Sequence, residues 1–335
     1  MIQALSSAYG AVATWRRQWF ARDPSRRRVL GRPVVSVGNL GVGGSGKTPV
    51  VGYIARMLVE AGERPAILTR GYGRRRPTDG VTVVSDGRQV LADVDAAGDE
   101  PLMLARSVPG ATVLVGASRY LSGRLAEERF GATVHLLDDG FQHFDLAREV
   151  DLLLASEEDL SDRPLPAGRL REPLAAASAA DAALVMAGYA TAAERVARTL
   201  GVPTVFRVTR TLGVPRTLAG DSVVVPSESR VFLVAAIARP ERFFSDVASA
   251  GWQVVGSMPF QDHHHFTPRD VARVIKAARS AAAAIILTTE KDAVRLSAPQ
   301  MDNLPIASVP LMVGVDPPDG FRDWLLARIR TPRAT

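Results

Sequence analysis

From residue 33 onward the chain alternates short β-rich runs with stretches of helical periodicity. Runs dominated by Val, Ile, Leu and Thr occupy 33–37, 65–69, 112–115, 133–137, 150–154, 182–186 and 204–208. Strand–helix alternation of this kind predicts an α/β chain built on a doubly wound sheet. A polar, Gly- and Pro-containing stretch at 209–229 reads as a connector. A second α/β set follows, with strands expected at 231–236, 253–257, 285–289 and 307–313. Its helices are expected at 240–250, 268–281, 291–296 and 319–329. The resulting division is an N-terminal arm at 1–30, a core domain at 31–208, the connector, and a smaller α/β lobe at 230–335.

The arm has its own periodicity. Ile2, Leu5, Tyr9, Val12, Trp15 and Trp19 recur at helical spacing, with Gln3, Ser6, Ser7, Thr14, Arg17 and Gln18 largely between them. Charge sharpens this picture. Residues 1–33 hold seven arginines against Asp23 alone, a local net of +6, which is the whole formal excess of the chain. An aromatic helix face followed by an arginine cluster suits a helix lying in the headgroup region of an anionic membrane. Packing on its own domain, a targeting peptide or a nucleic-acid arm are competing readings, the last without any aromatic-basic pattern elsewhere to support it. Cysteine is absent, which excludes disulfides, thiolate catalysis and cysteine-ligated zinc. No apolar stretch is long enough to span a bilayer.

The strongest chemical signal is residues 41–48, Gly-Val-Gly-Gly-Ser-Gly-Lys-Thr, which fit the phosphate-loop pattern G-x-x-x-x-G-K-[ST]. A predicted strand precedes it and a predicted helix follows. In this P-loop NTPase-like setting Gly41, Val42, Gly43, Gly44, Ser45 and Gly46 wrap backbone N–H groups round the phosphates. Lys47 reaches the β- and γ-phosphates, and the Thr48 hydroxyl ligates Mg²⁺. The chain is expected to bind a nucleoside triphosphate, with Asp138 and Asp139 at the end of run 133–137 holding the metal directly or through water.

Other clusters allow two readings each. In Gly98-Asp99-Glu100-Pro101, Asp99 suits a helix N-cap and equally a loop carboxylate that takes a proton from an attacking hydroxyl. His263, His264 and His265 are consecutive, so they cannot readily converge on one metal, and a histidine–carboxylate pair is the better reading. Arg70, Tyr72 and Arg74, and the stretch containing Gly168, Arg169 and Arg171, suit anion recognition or solvated loops. Thr289-Glu290-Lys291-Asp292 fails the guanine-reading spacing because Lys291 and Asp292 are adjacent.

Taken together, these segments resemble the tetraacyldisaccharide 4′-kinases of lipid A biosynthesis. The match runs from Ser36-Val37-Gly38-Asn39-Leu40 through the phosphate loop. It continues through residues 70–74, 98–101, 138–143, 168–173, 262–264 and 289–292 in the family's order. The resemblance implies an ATP- and Mg²⁺-dependent kinase acting on the 4′-hydroxyl of a tetraacyldisaccharide 1-phosphate. It further implies a peripheral enzyme on the cytoplasmic face of a bacterial inner membrane. By position it makes Asp99 the base or hydroxyl-orienting residue, His263 its partner with His264 the neighbouring choice, and Arg171 a stabiliser of phosphoryl charge. Lys47 and Thr48 keep their loop roles, and Thr48, Glu100, Asp138 and Asp139 form the metal set. Arg70, Tyr72, Arg74, Gln142, His143 and Arg169 are the expected substrate contacts. Two other readings of the residues are a nucleotide-switch protein of the metal-inserting GTPase type, with the histidines as cargo site, and a soluble small-molecule kinase.

Overall fold

The computed structural model describes residues 1–44, 46–296 and 304–331. In chain order the first part comprises α1 (Ile2–Ala21), β1 (Val34–Gly38), α2 (Lys47–Glu60), β2 (Pro65–Thr69), β3 (Val81–Asp86) and α3 (Val94–Ala97). It continues with α4 (Asp99–Ser107), β4 (Thr112–Gly116), α5 (Arg119–Phe130), β5 (Val134–Asp138), β6 (Val150–Ser156), β7 (Ala182–Met186), α6 (Ala190–Leu200) and β8 (Val205–Leu212). Then follow β9 (Arg216–Thr217), β10 (Arg230–Ala235), α7 (Pro240–Ser249), β11 (Gln253–Pro259) and α8 (Pro268–Ser280). The chain closes with β12 (Ile285–Thr289), α9 (Glu290–Ala293), β13 (Ile306–Val309), β14 (Leu311–Asp316) and α10 (Pro318–Arg330).

The strands form two sheets, a nine-stranded one in the order β14-β8-β7-β6-β1-β5-β2-β4-β3 and a five-stranded one in the order β11-β10-β12-β13-β9. The inner strands of the large sheet are parallel, and both edges are antiparallel. Parallel strands sandwiched by helices are dry on both faces, and every residue of β1, β2, β4 and β5 is buried. The chain leaves β1 toward β2 and β4, returns through β5, then runs outward on the other side through β6, β7 and β8. Connections therefore diverge around β1 and β5, which opens a crevice at the carboxyl ends of those strands. The loops after β1 and β5 are the phosphate loop and the Asp138–Asp139 turn. Gly38 permits their close approach, since a Cβ there would meet the Phe141 backbone nitrogen at 2.6 Å.

Most of the expected elements form within a residue or two of the positions read from periodicity. Three expectations are corrected. The run 307–313 is not one strand: Pro310, which has no N–H for a ladder, separates β13 from β14. Past that break the chain leaves the small lobe. β14 pairs antiparallel with β8 on the large sheet, and Phe321 and Leu325 of α10 are buried in the large core. The small lobe expected at 230–335 thus ends near Pro310. The connector expected at 209–229 begins inside β8 and contributes β9 to the small sheet. Finally β3, absent from the expected strands although Val81-Thr82-Val83-Val84 is β-rich, forms an antiparallel edge beside β4.

Helix α1 docks with its small and polar side. Ser6 and Gly10 are buried, the Ser6 hydroxyl donates to the Pro164 carbonyl at 2.6 Å, and Arg17 pairs with Glu172. Ile2, Leu5, Tyr9, Val12, Trp15 and Trp19 all face solvent. This is the reverse of an ordinary surface helix, which buries its apolar stripe.

Candidate active site

The phosphate loop joins the end of β1 to α2. Gly46 caps α2 with φ +80°, a left-handed conformation that costs glycine least. Ser45 lies outside the described residues. The opening of the loop is tied to a neighbouring segment: the Val42 N–H donates to the Arg169 carbonyl at 2.8 Å, and the Arg171 N–H to the Leu40 carbonyl at 2.7 Å. This backbone pairing delivers Arg171 beside the loop. Its guanidinium makes a bidentate pair with Asp139, both bonds at 2.8 Å, and donates to Asn39 Oδ1 at 2.7 Å. Lys47 Nζ donates to the same Asn39 oxygen at 2.8 Å and lies 3.3 Å from Asp139 Oδ1.

Adjacent Asp138 and Asp139 sit in opposite electrostatic environments. Asp138 ends β5 fully inside the protein, and burial, together with the Glu100 and Asp139 carboxylates, pushes its pKa up to about 7. Asp139 turns away with φ +57°. Burial acts on it in the same direction, but Arg171 and Lys47 prevail and hold it down at about 2. Glu100 accepts from the Thr48 hydroxyl at 3.3 Å. Three carboxylates and a hydroxyl crowd this corner, and the repulsion on Asp138 marks a place where positive charge is wanted. No group of three or more His, Cys, Asp or Glu among the described residues is arranged as a ready-made metal cage. Mg²⁺ needs none, because it keeps waters and phosphate oxygens and takes only one or two carboxylates. The residues fit that cation.

The second cluster is assembled across the lobes. Asp99 opens α4 and is 4% exposed, yet its partners come from the small lobe. His263 Nδ1 lies 2.9 Å from Asp99 Oδ2, Arg295 Nη2 bonds the same oxygen, and Lys291 Nζ stands 3.9 Å away. Burial works to raise Asp99, but His263, Lys291 and Arg295 overcome it and lower its pKa to about 2. An ionised carboxylate only accepts, so Nδ1 of His263 carries the proton. Its Nε2 faces Lys291 Nζ at 3.4 Å, and an ammonium only donates. His263 is therefore held on both ring nitrogens, between the Asp99 carboxylate and the Lys291 ammonium. Lys291 also bonds Glu100 at 3.1 Å and Asp262 at 3.3 Å. Burial disfavours its charge, but Glu100, Asp99 and Asp262 outweigh that and raise its pKa.

The structure brings together Asp99, Glu100 and His263, and separately Lys47, Asp139 and Arg171, with Thr48 bonded to Glu100 between them. Tyr72 packs its ring against His263 at 5.4 Å and is 77% exposed, a free surface beside the cluster. Arg74 bonds the Gly71 carbonyl, and Arg70 is exposed on the same loop. Three expected substrate contacts have partners within the protein. Gln142 donates to the Asn39 carbonyl and to Glu172, His143 lies 3.0 Å from Asp145, and Arg169 pairs with Asp162. The histidine run also separates: His264 pairs with Asp270 and His265 meets Arg75. A shared cargo site on the three histidines is thereby excluded, since each ring has a different partner. Sequence reasoning missed Asn39, Lys291 and Arg295. Only the TEKD position at a strand end signalled Lys291, and nothing local signalled Arg295. Beside the loop a cleft of about 470 Å³ is lined by residues 41–44, Leu154, Met186 and Val208, with Arg239 and Arg242 of the small lobe at its edge.

The family model described as LpxK, tetraacyldisaccharide-1-P 4′-kinase, matches residues 1–330. The chain belongs to the LpxK family. A tetraacyldisaccharide 4′-kinase of Geobacter sulfurreducens is 41% identical over 320 residues, covering 93% of this chain and 88% of the relative. One of Desulfotalea psychrophila is 38% identical over 301 residues, covering 87% and 86%. The solved LpxK of Aquifex aeolicus in complex with ATP superposes with a TM-score of 0.79 at 29% identity, over 98% of both chains. The LpxK family is one of kinases, so this chain is an ATP-dependent phosphotransferase with a P-loop NTPase-like α/β fold. Nucleotide-switch function of the metal-inserting type is set aside.

Proposed function

We propose that this LpxK-family chain transfers the γ-phosphoryl group of ATP to the 4′-hydroxyl of a tetraacyldisaccharide 1-phosphate, at the cytoplasmic surface of a bacterial inner membrane. The observation that carries the reading is the cross-lobe Asp99–His263 pair facing the same Glu100 that Thr48 of the phosphate loop touches. A hydroxyl placed between the two clusters would meet a proton acceptor on one side and a phosphate cradle on the other. Phosphoryl transfer asks for positioning and charge neutralisation rather than covalent chemistry. Lys47 and Arg171, held on Asn39 and Asp139, supply fixed positive charge at the phosphate end. Asp99, kept ionised, would take or orient the hydroxyl proton, and His263 holds that carboxylate in place from the other lobe. Thr48, Asp138, Asp139 and Glu100 would hold Mg²⁺, which neutralises phosphate charge when bound. Tyr72, Arg70 and Arg74 line the approach for the acceptor.

The exposed apolar stripe of α1 supports a membrane-surface site. A lipid acceptor stays in its leaflet, and the helix with the arginines clustered just after it would bring the active site to it. No helix among the described residues is long and apolar enough to cross a membrane. The deciding experiment is transfer of labelled γ-phosphate from ATP to tetraacyldisaccharide 1-phosphate in detergent micelles, with Asp99→Ala alongside. Labelled lipid from the native protein alone is expected. ATP turnover without lipid labelling would point to a different acceptor. Flotation with anionic vesicles checks the membrane claim, which fails if the intact protein stays in the dense fraction.

A further inference from the structure

We infer that Arg17 of α1 is a positioning residue for phosphoryl transfer. It staples the loop that carries Asp139 to the loop that carries Arg171.

The bonds behind this run in one direction. The Arg17 guanidinium forks onto Glu172, with Nε at 2.6 Å from Oε2 and Nη2 at 2.9 Å from Oε1. Glu172 is 2% exposed, so this is a buried carboxylate with a nearly buried partner from a distant helix. Nη2 of Arg17 also reaches the Phe141 carbonyl at 3.5 Å, and its plane lies 4.3 Å from the Phe141 ring centroid and 4.8 Å from that of Phe144. Phe141 follows Asp139 by two residues, and Glu172 follows Arg171 by one. The two loops are thus joined twice, once by the Asp139–Arg171 fork at the phosphate site and once by Arg17. Gln142 closes the ring, donating at 2.9 Å to Glu172 and at 3.1 Å to the backbone carbonyl of Asn39. Asn39 in turn holds both Lys47 and Arg171 through its side chain. Losing Arg17 leaves Glu172 buried with Gln142 as its remaining partner, and the ring has to rearrange. Its far side is made of the two cations aimed at the phosphates.

Small displacements of such groups are costly to rate even when the change lies away from the chemistry, up to about 100-fold for about 1 Å. The inference rests on the acceptor proposed above, and not on membrane docking. The test measures kcat, and KM for ATP, at saturating micellar acceptor for the native protein, Arg17→Ala, Arg17→Lys, Glu172→Gln and the Arg17→Ala/Glu172→Gln pair. Arg17→Ala should lower kcat about 10- to 100-fold, with KM for ATP within about threefold. Lysine restores the charge but not the fork, so Arg17→Lys should fall between native and alanine. The double variant should be no worse than the worse single one, because both singles break the same bond. Where Arg17→Ala yields too little folded protein, Arg17→Lys and Glu172→Gln carry the same comparison. A kcat within about twofold of native in these variants overturns the inference, as does an additive double variant. So does a loss confined to KM. A native protein that labels no lipid would instead refute the acceptor assignment.

Discussion

Asp138 and Asp139 are neighbours in the chain but titrate in opposite directions. The first is held against Glu100 in a dry strand end; the second swings into a fork made by Arg171. Folded Asp138 keeps its proton up to about pH 7, whereas the unfolded side chain releases it near its ordinary value of 3.8. Between those values the folded state binds more protons, so this group makes stability fall as pH rises, and the penalty is complete above pH 7. Asp138→Asn removes the charge without changing shape. The nucleotide-free variant should melt at a higher temperature than native, by more at pH 8 than at pH 5, while losing activity. Thermal scans at both pH values check this, and an equal or lower midpoint at pH 8 would contradict it. Asp99 carries the opposite sign. Its pKa is lowered to about 2, so its contribution is present above about pH 4 and vanishes as pH drops through 2. Asp99→Asn should retain ATP binding and lose about 10²-fold or more in kcat, since the amide is not basic and His263 loses its counter-charge. Calorimetric ATP titration beside steady-state rates separates those effects.

At the scale of elements, α1 presents two unlike faces. Its buried side is small or charged, matching the Pro164 and Pro173 surface, where a Cβ added at Gly10 would come within 3.3 Å of the Pro173 ring. Its other side leaves Leu5 56% and Val12 65% exposed, so apolar area is displayed rather than used for folding. Replacing both with serine should leave thermal stability near native and weaken flotation on anionic vesicles. KM for micellar acceptor should rise at least about tenfold, since two side chains worth about 1.5–3 kcal/mol each when fully buried exceed about 1.4 kcal/mol even when partly inserted. Unchanged flotation would mean that the stripe meets something other than lipid. Periodicity alone made the helix legible, and the arginine excess made its polarity legible. Which face docks was not, because Ser6 and Gly10 read as merely polar and small until Pro164 and Pro173 are brought against them.

Across the whole molecule, the Asp99 cluster exists only because two lobes meet. Arg295 and Lys291 reach from the small lobe to Asp99 and Glu100 of the large one, and Arg295 is nearly as buried as its partner. Arg295→Met keeps volume but removes the charge-assisted bond, at a cost of about 1.5–3 kcal/mol. We expect a lower calorimetric midpoint and a broader transition as the lobes come apart more independently, with kcat reduced and phosphate-loop binding of ATP retained. A single sharp transition at the native temperature would show that the lobes are held by other contacts. The return of β14 and α10 to the large sheet ties the lobes a second time, so that the chain crosses between them twice.

The sequence by itself determined the alternation of strands and helices, the phosphate loop with Lys47 and Thr48, the acidic pair after β5, and the amphipathic arm. Those features are local: glycine conformation, short-range periodicity and charge spacing act within a few residues of each other. Tertiary structure decided what depends on residues far apart in the chain. It brought Asp99 to His263 and Arg295, separated the three histidines, tied Gln142 to Glu172 and His143 to Asp145, and carried β14 back across the lobe boundary. It also set Asp138 and Asp139 apart, because a carboxylate's charge state follows the burial and partners that folding gives it, which neighbouring letters do not encode.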